Sequence, residues 1–406
     1  PLQSIIRNLY EFSRANPYPD EWFKQFIRLY DIDLDTSINE LPFTKTIIES
    51  ITMELSAAKA MLEQAIELAA LPGGPAPKIQ TYEQDIAFIQ MLQEAAEIGW
   101  EPLYQTIQAH GFNKAVSVKK AEYDEELLKQ TDMLRKNAKE LVEKIREQFF
   151  SRKPESYLND IRALKPIVEG VVQLVQQYHE KFEAVKMEKA LIDFGDLEHF
   201  CLSILMDNGK PSDIAKAYQE RFKEILVDEY QDTNLVQETI IQLIKKGTEE
   251  DGNLFMVGDV KQSIYKFRLA EPQLFIEKYR RFQPDETAPS GLRIDLAQNF
   301  RSRDEVLHGT NFIFKQTMGE KVGDIDYSED AELKVNDLYP PAPTPVSVVL
   351  IEKDGQEDSG QQENQEEDLE KSQLEARFIA KEIRSLIDSG AKVYDAKTGA
   401  YRPLQF

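Results

Sequence analysis

The segment ILVDEYQDT, residues 225–233, places two carboxylates directly after a short apolar run. Such a run is typical of a strand buried on both faces of a parallel sheet, and ligands bind at the carboxyl ends of such strands. We expect Asp228 to hold Mg²⁺ through the water shell of the ion, and Glu229 to orient or deprotonate the water that attacks a γ-phosphate. The alternative is that the acidic pair is only the solvated end of a strand.

A second apolar run, residues 254–257, ends in Gly258 and continues as GDVKQSIYKFR. Gly258 permits a close approach to the backbone, and the amide of Gln262 is suited to sensing a γ-phosphate. Tyr265 and Phe267 offer flat faces on which unstacked bases can stack. The second run therefore predicts another strand, with a phosphate sensor and a base platform after it.

The segment NFRSR, residues 299–303, follows further along the chain and carries two guanidinium groups. Guanidinium groups neutralise charge on a phosphoryl group during its transfer, as an arginine finger does. This segment therefore supplies a cation for the phosphoryl group, in addition to the carboxylates of the first segment and the amide of the second.

These three segments, in this order and spacing, resemble motifs II, III and IV of the UvrD-like superfamily 1 DNA helicases. The segment LIDFGDL, residues 191–197, resembles a segment that precedes motif II in the first RecA-like domain of that family. The wording around the motifs, DFGDLEHF and GDVKQSIYKFRLAEPQLF, is most similar to the helicase–nuclease branch of the family. The long helical region ahead of the motifs is similar too.

The resemblance assigns a role to each matching residue of the nucleotide site. It implies that Asp228 serves magnesium and that Glu229 activates water. Gln262 and Arg301 would contact the γ-phosphate, and Phe300 would stack on adenine. ATP and Mg²⁺ are the cofactors that follow from these roles.

The resemblance also implies that Tyr265, Phe267 and Arg268 bind DNA. Many relatives carry Trp at the position of Phe267, and the smaller face of Phe implies weaker stacking there. Arg268 is expected to link the DNA site to the nucleotide site. An ordinary structural ion pair is the alternative for Arg268.

The activity implied by the resemblance is that of an ATP-dependent 3′–5′ single-strand DNA translocase and helicase that processes double-strand break ends. The branch implies nuclease activity in the full-length protein and a heterodimer with a second subunit. Single-stranded and duplex DNA ends would be its other partners. The alternatives are a related repair helicase without a nuclease, and a catalytically inactive scaffold that holds DNA. Intact Asp228, Glu229, Gln262 and Arg301 argue against the scaffold.

The sequence contains no G-x-x-x-x-G-K-[ST] loop to cradle phosphates. In the nearest candidate, LPGGPAPK at residues 71–78, three prolines remove backbone donors and no Ser or Thr follows the lysine. That segment is better interpreted as a turn between helices. Because the chain also begins at Pro1 rather than at Met, we expect an internal piece of a longer protein that does not hydrolyse ATP by itself.

The pattern along the chain predicts an α/β fold with three regions. Apolar residues at spacings of three and four predict a large all-helical accessory domain over residues 1–190. Alternating strands and helices over residues 191–297 predict part of a doubly wound parallel sheet, which the resemblance identifies as the remainder of a first RecA-like motor domain of the P-loop NTPase type, incomplete here. Residues 298–406 are expected to begin a second RecA-like domain, in which a helix from Gln298 carries NFRSR.

Charge is distributed unevenly along the sequence. The chain has a formal net charge of -23, yet residues 259–303 carry nine basic side chains against six acidic ones, which suits phosphate binding. Residues 352–371 carry nine acids against two lysines and predict a disordered acidic loop, either a solvated insertion or a regulatory segment. An amphipathic helix is predicted at residues 374–387, with Gly390 as its stop.

The remaining composition predicts a soluble intracellular protein, and the resemblance implies a bacterial protein of the cytoplasm, associated with the nucleoid. No apolar run is long enough to span a bilayer, so we expect no membrane partner. The single cysteine, Cys201, excludes an internal disulfide bond, and the four histidines lack the spacing of zinc ligands. We therefore expect no metal other than magnesium.

Overall fold

The computed structural model describes residues 1–247, 252–284, 291–323, 325–328, 331–336, 339–340, 345–351, 365–395 and 397–404. Its helices are α1 Leu2–Arg14, α2 Pro19–Arg28, α3 Thr44–Ala69, α4 Ile79–Ile98, α5 Trp100–Ala109, α6 Glu125–Phe149, α7 Pro154–Glu188, α8 Phe194–Leu205, α9 Asp213–Arg221, α10 Leu235–Ile244, α11 Gln273–Arg281, α12 Asp304–Thr317, α13 Glu320–Gly323 and α14 Gln365–Asp388. Its strands are β1 Met206–Asp207, β2 Lys210–Pro211, β3 Ile225–Val227, β4 Leu254–Met256, β5 Lys392–Asp395 and β6 Ala400–Pro403.

The chain forms two compact units. The first comprises Pro1–Ala215 and Asn234–Leu243, and the second comprises Lys216–Thr233 and Ile244–Phe406. The three domains expected from the sequence, with boundaries after residues 190 and 297, remain a prediction.

The core of the first unit lies where α3 packs against α4 and α6, with α5 packed on α4. The buried side chains of α3 recur at alternating spacings of three and four residues, which places them on one stripe of the helix. They are Ile51, Leu55, Ala58, Leu62, Ala65 and Ala69. Burial of this stripe against apolar side chains of α4 and α6 stabilises helices whose outer faces are charged.

The segment LIDFGDL begins α8 through a capping box in the first unit. The Asp193 carboxylate accepts a hydrogen bond from the Asp196 N–H at 2.9 Å, and the Asp196 carboxylate accepts one from the Asp193 N–H at 2.9 Å. Lys186 Nζ donates to both oxygens of Asp196, at 2.6 and 2.7 Å. The side chains of Lys186 and Asp196 are only 8% and 2% exposed, so this ion pair is buried.

Burial opposes ionisation of Asp196, but the hydrogen bonds from Lys186 and from the Asp193 backbone outweigh it, and the pKa of Asp196 lies below its usual 3.8. A carboxyl group whose pKa is lowered by folding stabilises the folded state above its unfolded pKa. That contribution is lost as the pH falls through the lower, folded pKa. The pair should therefore stabilise the first unit at neutral pH.

We predict that Lys186→Met destabilises the first unit by about 3 kcal/mol, because the buried Asp196 carboxylate loses its main cationic partner and keeps only the longer contact with Arg14 at 3.5 Å. Both tryptophans of the chain, Trp22 and Trp100, lie in this unit, so urea unfolding followed by tryptophan fluorescence reports on it. Lys136→Met is the matched control, because Lys136 makes an exposed pair with Glu140 on α6. Equal unfolding midpoints for the two variants would contradict the prediction.

The second unit contains a parallel pair of strands. β3 and β4 pair in the register Ile225 with Leu254, Leu226 with Phe255 and Val227 with Met256. The prediction that β3 is buried on both faces is wrong, because Leu226 is 70% exposed and its neighbour Phe255 is 55% exposed. Side chains alternate across a strand, and no described residue covers the face that carries these two.

The predicted helix through NFRSR is also wrong, since α12 begins only at Asp304. The Asn299 side chain accepts hydrogen bonds from the N–H groups of Arg301 and Ser302, both at 2.9 Å. An asparagine side chain that binds the backbone two and three residues ahead competes with helix formation. NFRSR is therefore a turn that leads into the helix.

The predicted helix at residues 374–387 is present, but α14 begins nine residues earlier, at Gln365. Residues 365–371 are therefore helical rather than part of a disordered acidic loop, and residues 352–364 of that loop lie outside the described residues. Glutamate is a good helix former, so the composition of this stretch is compatible with a helix. Gly390 adopts a φ of 68° beyond the helix end, as predicted for its stop.

Candidate functional site

The two polar segments leave the same edge of the parallel strand pair. The N–H of Val257 donates to the carbonyl of Val227 at 2.8 Å, and the N–H of Tyr230 donates to the carbonyl of Val257 at 2.9 Å. These bonds continue the pairing of β3 and β4 past the strand ends. Asp228 and Gly258 are consequently the first residues of two loops that begin side by side.

The chain turns sharply at Glu229. Its φ and ψ are 50° and 43°, the left-handed region, which is uncommon for a residue other than glycine. The Asp228 carboxylate accepts a hydrogen bond from the Glu229 N–H at 2.9 Å, and a 3₁₀ turn at Tyr230–Asp232 follows. Both acidic side chains are exposed, as a pair that meets a ligand requires.

Gln231 links the two loops, and the sequence alone did not predict this role. It is fully buried. Its Nε2 donates to Oε2 of Glu229 at 2.7 Å, and its Oε1 accepts from the N–H of Asp259 at 3.0 Å. The only signal in the sequence was an amide two residues after the glutamate, and nothing in the sequence identified its second partner.

Asp259 organises the loop after β4, which the sequence likewise did not predict. Its Oδ1 accepts from the backbone N–H of Lys261 at 3.1 Å and pairs with the Nζ of that lysine at 2.9 Å. Its Oδ2 accepts from Nε2 of Gln262 at 3.1 Å. Asp259 therefore holds the exposed amide of Gln262 through its carboxylate and binds Gln231 through its backbone N–H.

Gly258 allows the two loops to approach. A Cβ atom at this position would lie 2.5 Å from Oε1 of Gln231 and 3.0 Å from Cε2 of Phe275. The close approach predicted for this glycine is therefore present, and the group that approaches is a side chain of the neighbouring loop. Any larger residue would displace the Gln231 amide.

The 3₁₀ turn after Glu229 is anchored by a buried tyrosine that contacts α11. Tyr230 is fully buried, and its hydroxyl lies 2.5 Å from Nζ of Lys278 on α11. Asp232 packs in the same turn, where burial and the nearby charge of Glu229 raise the pKa of its carboxyl group. The turn is therefore anchored by the buried Tyr230, and the exposed Asp228 and Glu229 form an acidic tip.

The residues expected to bind DNA lie together after Gln262. The rings of Tyr265 and Phe267 are 6.1 Å apart, and Phe267 is 75% exposed. The guanidinium of Arg268 lies 5.3 Å from the Tyr265 ring centre and 5.6 Å from the Phe267 ring centre. No carboxylate among the described residues forms an ion pair with Arg268, so the structural ion pair considered from the sequence is not seen there.

Two hydrogen bonds join the NFRSR turn to Tyr339 and Pro340. The Tyr339 hydroxyl donates to the carbonyl of Arg301 at 2.8 Å, and Nη2 of Arg303 donates to the carbonyl of Pro340 at 2.6 Å. Phe300 is exposed, and no carboxylate among the described residues pairs with the Arg301 guanidinium. Among the same residues, no hydrogen bond or ion pair joins Phe300 or the Arg301 side chain to Asp228, Glu229 or Gln262.

The chemistry of Asp228 fits magnesium better than a metal with many protein ligands. The described part of the chain holds no group of three or more metal-binding side chains. Mg²⁺ keeps several waters and is commonly bound by one or two carboxylates together with substrate phosphates. One oxygen of Asp228 accepts from the Glu229 backbone, and the other carries no hydrogen bond to a described residue.

Comparison with known protein families identifies the family to which the chain belongs. A family model described as the UvrD/REP helicase N-terminal domain matches residues 39–283. The chain therefore belongs to this helicase family, which confirms the family predicted from the motifs. Family membership implies a RecA-like α/β fold, and the described residues combine many helices with small sheets.

Individual proteins are also similar to the chain over its full length. The chain is 47% identical over 410 aligned residues to an ATP-dependent helicase/nuclease subunit of Bacillus cereus (strain ATCC 10987 / NRS 248), and equally similar to that of Bacillus thuringiensis (strain Al Hakam). Each alignment covers 100% of this chain but only 33% of the relative. The chain thus spans about a third of the length of these relatives. No helix among the described residues is long and apolar enough to cross a membrane.

The strained conformation of Glu229 yields a stability prediction. We expect Glu229→Gly to be about 1 kcal/mol more stable than Glu229→Ala, because only glycine adopts the left-handed conformation without a Cβ penalty. Both variants remove the carboxylate, so their difference isolates the backbone. Thermal unfolding measured side by side by circular dichroism is the test, and an alanine variant as stable as the glycine variant would refute backbone strain at this position.

Proposed function

We propose that this chain carries the ATP-hydrolysing and DNA-contacting segments of an ATP-driven DNA helicase. The observation that carries the proposal is the hydrogen-bonded connection between Glu229 and Asp259 through Gln231, at the shared edge of β3 and β4. It supports a site in which the carboxylate of Glu229 activates water and the amide of Gln262, held by Asp259, senses the phosphate. An aromatic platform follows on the same loop.

Each residue of the nucleotide site has a distinct task in this proposal. Asp228 would hold Mg²⁺ through water, and that ion would offset charge on the phosphates. Glu229 orients the attacking water and accepts its proton, and Gln262 binds the γ-phosphate through its amide. Phe300 stacks on adenine, and the Arg301 guanidinium neutralises charge that develops during phosphoryl transfer.

On the DNA side, Tyr265 and Phe267 stack on bases of a single strand while Arg268 contributes charge and planar stacking. The exposure of Phe267 and the guanidinium beside both rings support this assignment. Stacking of this kind tolerates any base sequence, because every base has a flat face. A motor that moves along DNA requires that tolerance.

The proposal extends to the whole protein by way of its relatives. Their name describes an ATP-dependent helicase/nuclease, which supports the helicase–nuclease branch, that of AddA, over a repair helicase without a nuclease. In this proposal the protein moves 3′ to 5′ along single-stranded DNA, processes double-strand break ends for recombinational repair and pairs with a second, AddB-like protein. It acts in the bacterial cytoplasm at the nucleoid. The two parallel strands would belong to a doubly wound RecA-like sheet.

We predict that Glu229→Gln in the full-length protein lowers DNA-stimulated ATP hydrolysis by about 100- to 10,000-fold, the range for a lost general base. Steady-state phosphate release with and without single-stranded DNA is the measurement. Glu224→Gln is the control, because Glu224 is an exposed glutamate at the opposite end of β3. Wild-type protein that binds DNA without hydrolysing ATP would favour the inactive scaffold instead.

We predict that Phe267→Ala weakens single-stranded DNA binding by about 1–3 kcal/mol, the contribution of one base–aromatic stack, or roughly 5- to 150-fold in Kd. Fluorescence anisotropy with a labelled oligonucleotide measures the effect. Phe312→Ala removes a phenylalanine of similar exposure, 69% against 75%, and should leave the affinity unchanged. Equal affinities for both variants would remove Phe267 from the DNA site.

A further inference from the structure

Gln231 is a buried amide that the assignments above leave without a task. A fully buried polar side chain requires hydrogen-bond partners, and Gln231 has found them on two separate loops. Its two main partners are the carboxylate of Glu229 and the backbone N–H of Asp259, a residue 28 positions away. Its position is therefore set by both loops at once.

We propose that Gln231 is a positioning residue that couples the DNA-contacting loop to the water-activating carboxylate of Glu229. This inference rests on the proposed ATP-hydrolysing function. A displacement of the loop at Asp259 moves the acceptor oxygen of Gln231. The same rigid amide then moves the donor that holds Glu229.

The loop after β4 offers a continuous path from the DNA platform to this amide. The N–H of Arg268 donates to the carbonyl of Tyr265 at 2.8 Å, and the N–H of Ile264 donates to the carbonyl of Gln262 at 2.7 Å. The Gln262 side chain is bound by Asp259, whose own N–H binds Gln231. A base that stacks on Tyr265 and Phe267 therefore acts on a short, hydrogen-bonded loop that ends at the amide.

The chemistry of the amide suits this task. Its N–H donor orients the Glu229 carboxylate without pairing its charge, so the negative charge remains available to the attacking water. A lysine or arginine at this position would neutralise that charge. The backbone strain at Glu229 makes the hydrogen bond more important, because a residue in the left-handed region stays there only when its surroundings hold it.

Gly258 provides a second way to disturb the same amide. A Cβ atom at Gly258 would lie 2.5 Å from Oε1 of Gln231, closer than a Cβ atom approaches a non-bonded heavy atom. Gly258→Ala should therefore push the amide away from the Asp259 N–H while every hydrogen-bonding group remains in the chain. It tests the geometry independently of the chemistry.

The chain also contains a matched control. Gln237 makes the same pair of bonds in the first unit, since its Oε1 accepts from the Asn234 N–H at 3.2 Å and its Nε2 donates to Glu198 at 2.7 Å. Gln237→Met therefore removes an exposed amide with the same two kinds of hydrogen bond from a place that has no role in the proposed reaction. Gln231→Met keeps the length of the side chain and removes only the amide.

The experiment measures kcat and KM for ATP with saturating single-stranded oligonucleotide, together with the Kd for that oligonucleotide, in the full-length protein. For Gln231→Met we expect kcat to fall by about 10- to 100-fold, as for a misplaced catalytic group. KM for ATP and Kd for DNA should stay within about twofold of wild type, because the amide is fully buried and contacts neither ligand in the proposed site. Gly258→Ala should show the same separation, and Gln237→Met should match wild type.

A Gln231→Met protein whose kcat is unchanged would overturn the inference, and so would parallel losses of ATP and DNA binding, which indicate a merely structural amide. Should Gln231→Met fail to fold, Gly258→Ala decides the question by the same criteria. Wild-type protein without DNA-stimulated hydrolysis would instead refute the proposed function itself. The two failures are therefore distinguishable.

Discussion

The parallel pairing of β3 with β4 is the constraint on which the candidate site depends. Its register aligns Val227 with Met256, and two further hydrogen bonds, from Val257 to Val227 and from Tyr230 to Val257, carry the alignment past the strand ends. A shift of one residue would turn every side chain of a strand to the other face and would separate the loops by a residue. This pairing sets the positions of the acidic tip at Asp228 and Glu229, the bridging amide of Gln231 and the aromatic platform of Tyr265 and Phe267.

The acidic tip combines local strain with firm support. Glu229 lies in a backbone region that opposes folding by about 1 kcal/mol or more, and Tyr230 below it is fully buried. Strain of this kind persists where the surroundings over-determine the conformation, and here the Asp228 carboxylate and the Gln231 amide both bind Glu229. The loop proposed to contact DNA is more open, since Phe267 and Arg268 are exposed. A well-supported acidic tip beside an exposed loop suits the proposed site, in which DNA regulates hydrolysis.

Periodicity predicted the parts of the fold that depend on one segment at a time. The apolar stripe of α3 and the glycine stop after α14 follow from local patterns, and both are present. The predictions that were wrong depended on competing or distant contacts. The Asn299 side chain binds the backbone N–H groups of Arg301 and Ser302, so NFRSR is a turn rather than a helix. The exposure of Leu226 depends on which residues pack on β3, and the composition of β3 alone does not determine that. Gln231 was missed because its second partner is remote in sequence, whereas the residue types at 228, 229 and 262 by themselves suggest the proposed site.

A structure of the full-length protein with single-stranded DNA, Mg²⁺ and ADP–aluminium fluoride, a mimic of the phosphoryl-transfer transition state, would test the proposed site most directly. We expect the fluoride group within hydrogen-bond reach of Gln262 and Arg301, a water held by Glu229 in line with the aluminium, and magnesium joined to Asp228 through water. We also expect a base against Phe267 and an intact bond from Gln231 to Glu229. Nucleotide bound away from the shared edge of β3 and β4 would show that this edge is not the site of ATP hydrolysis.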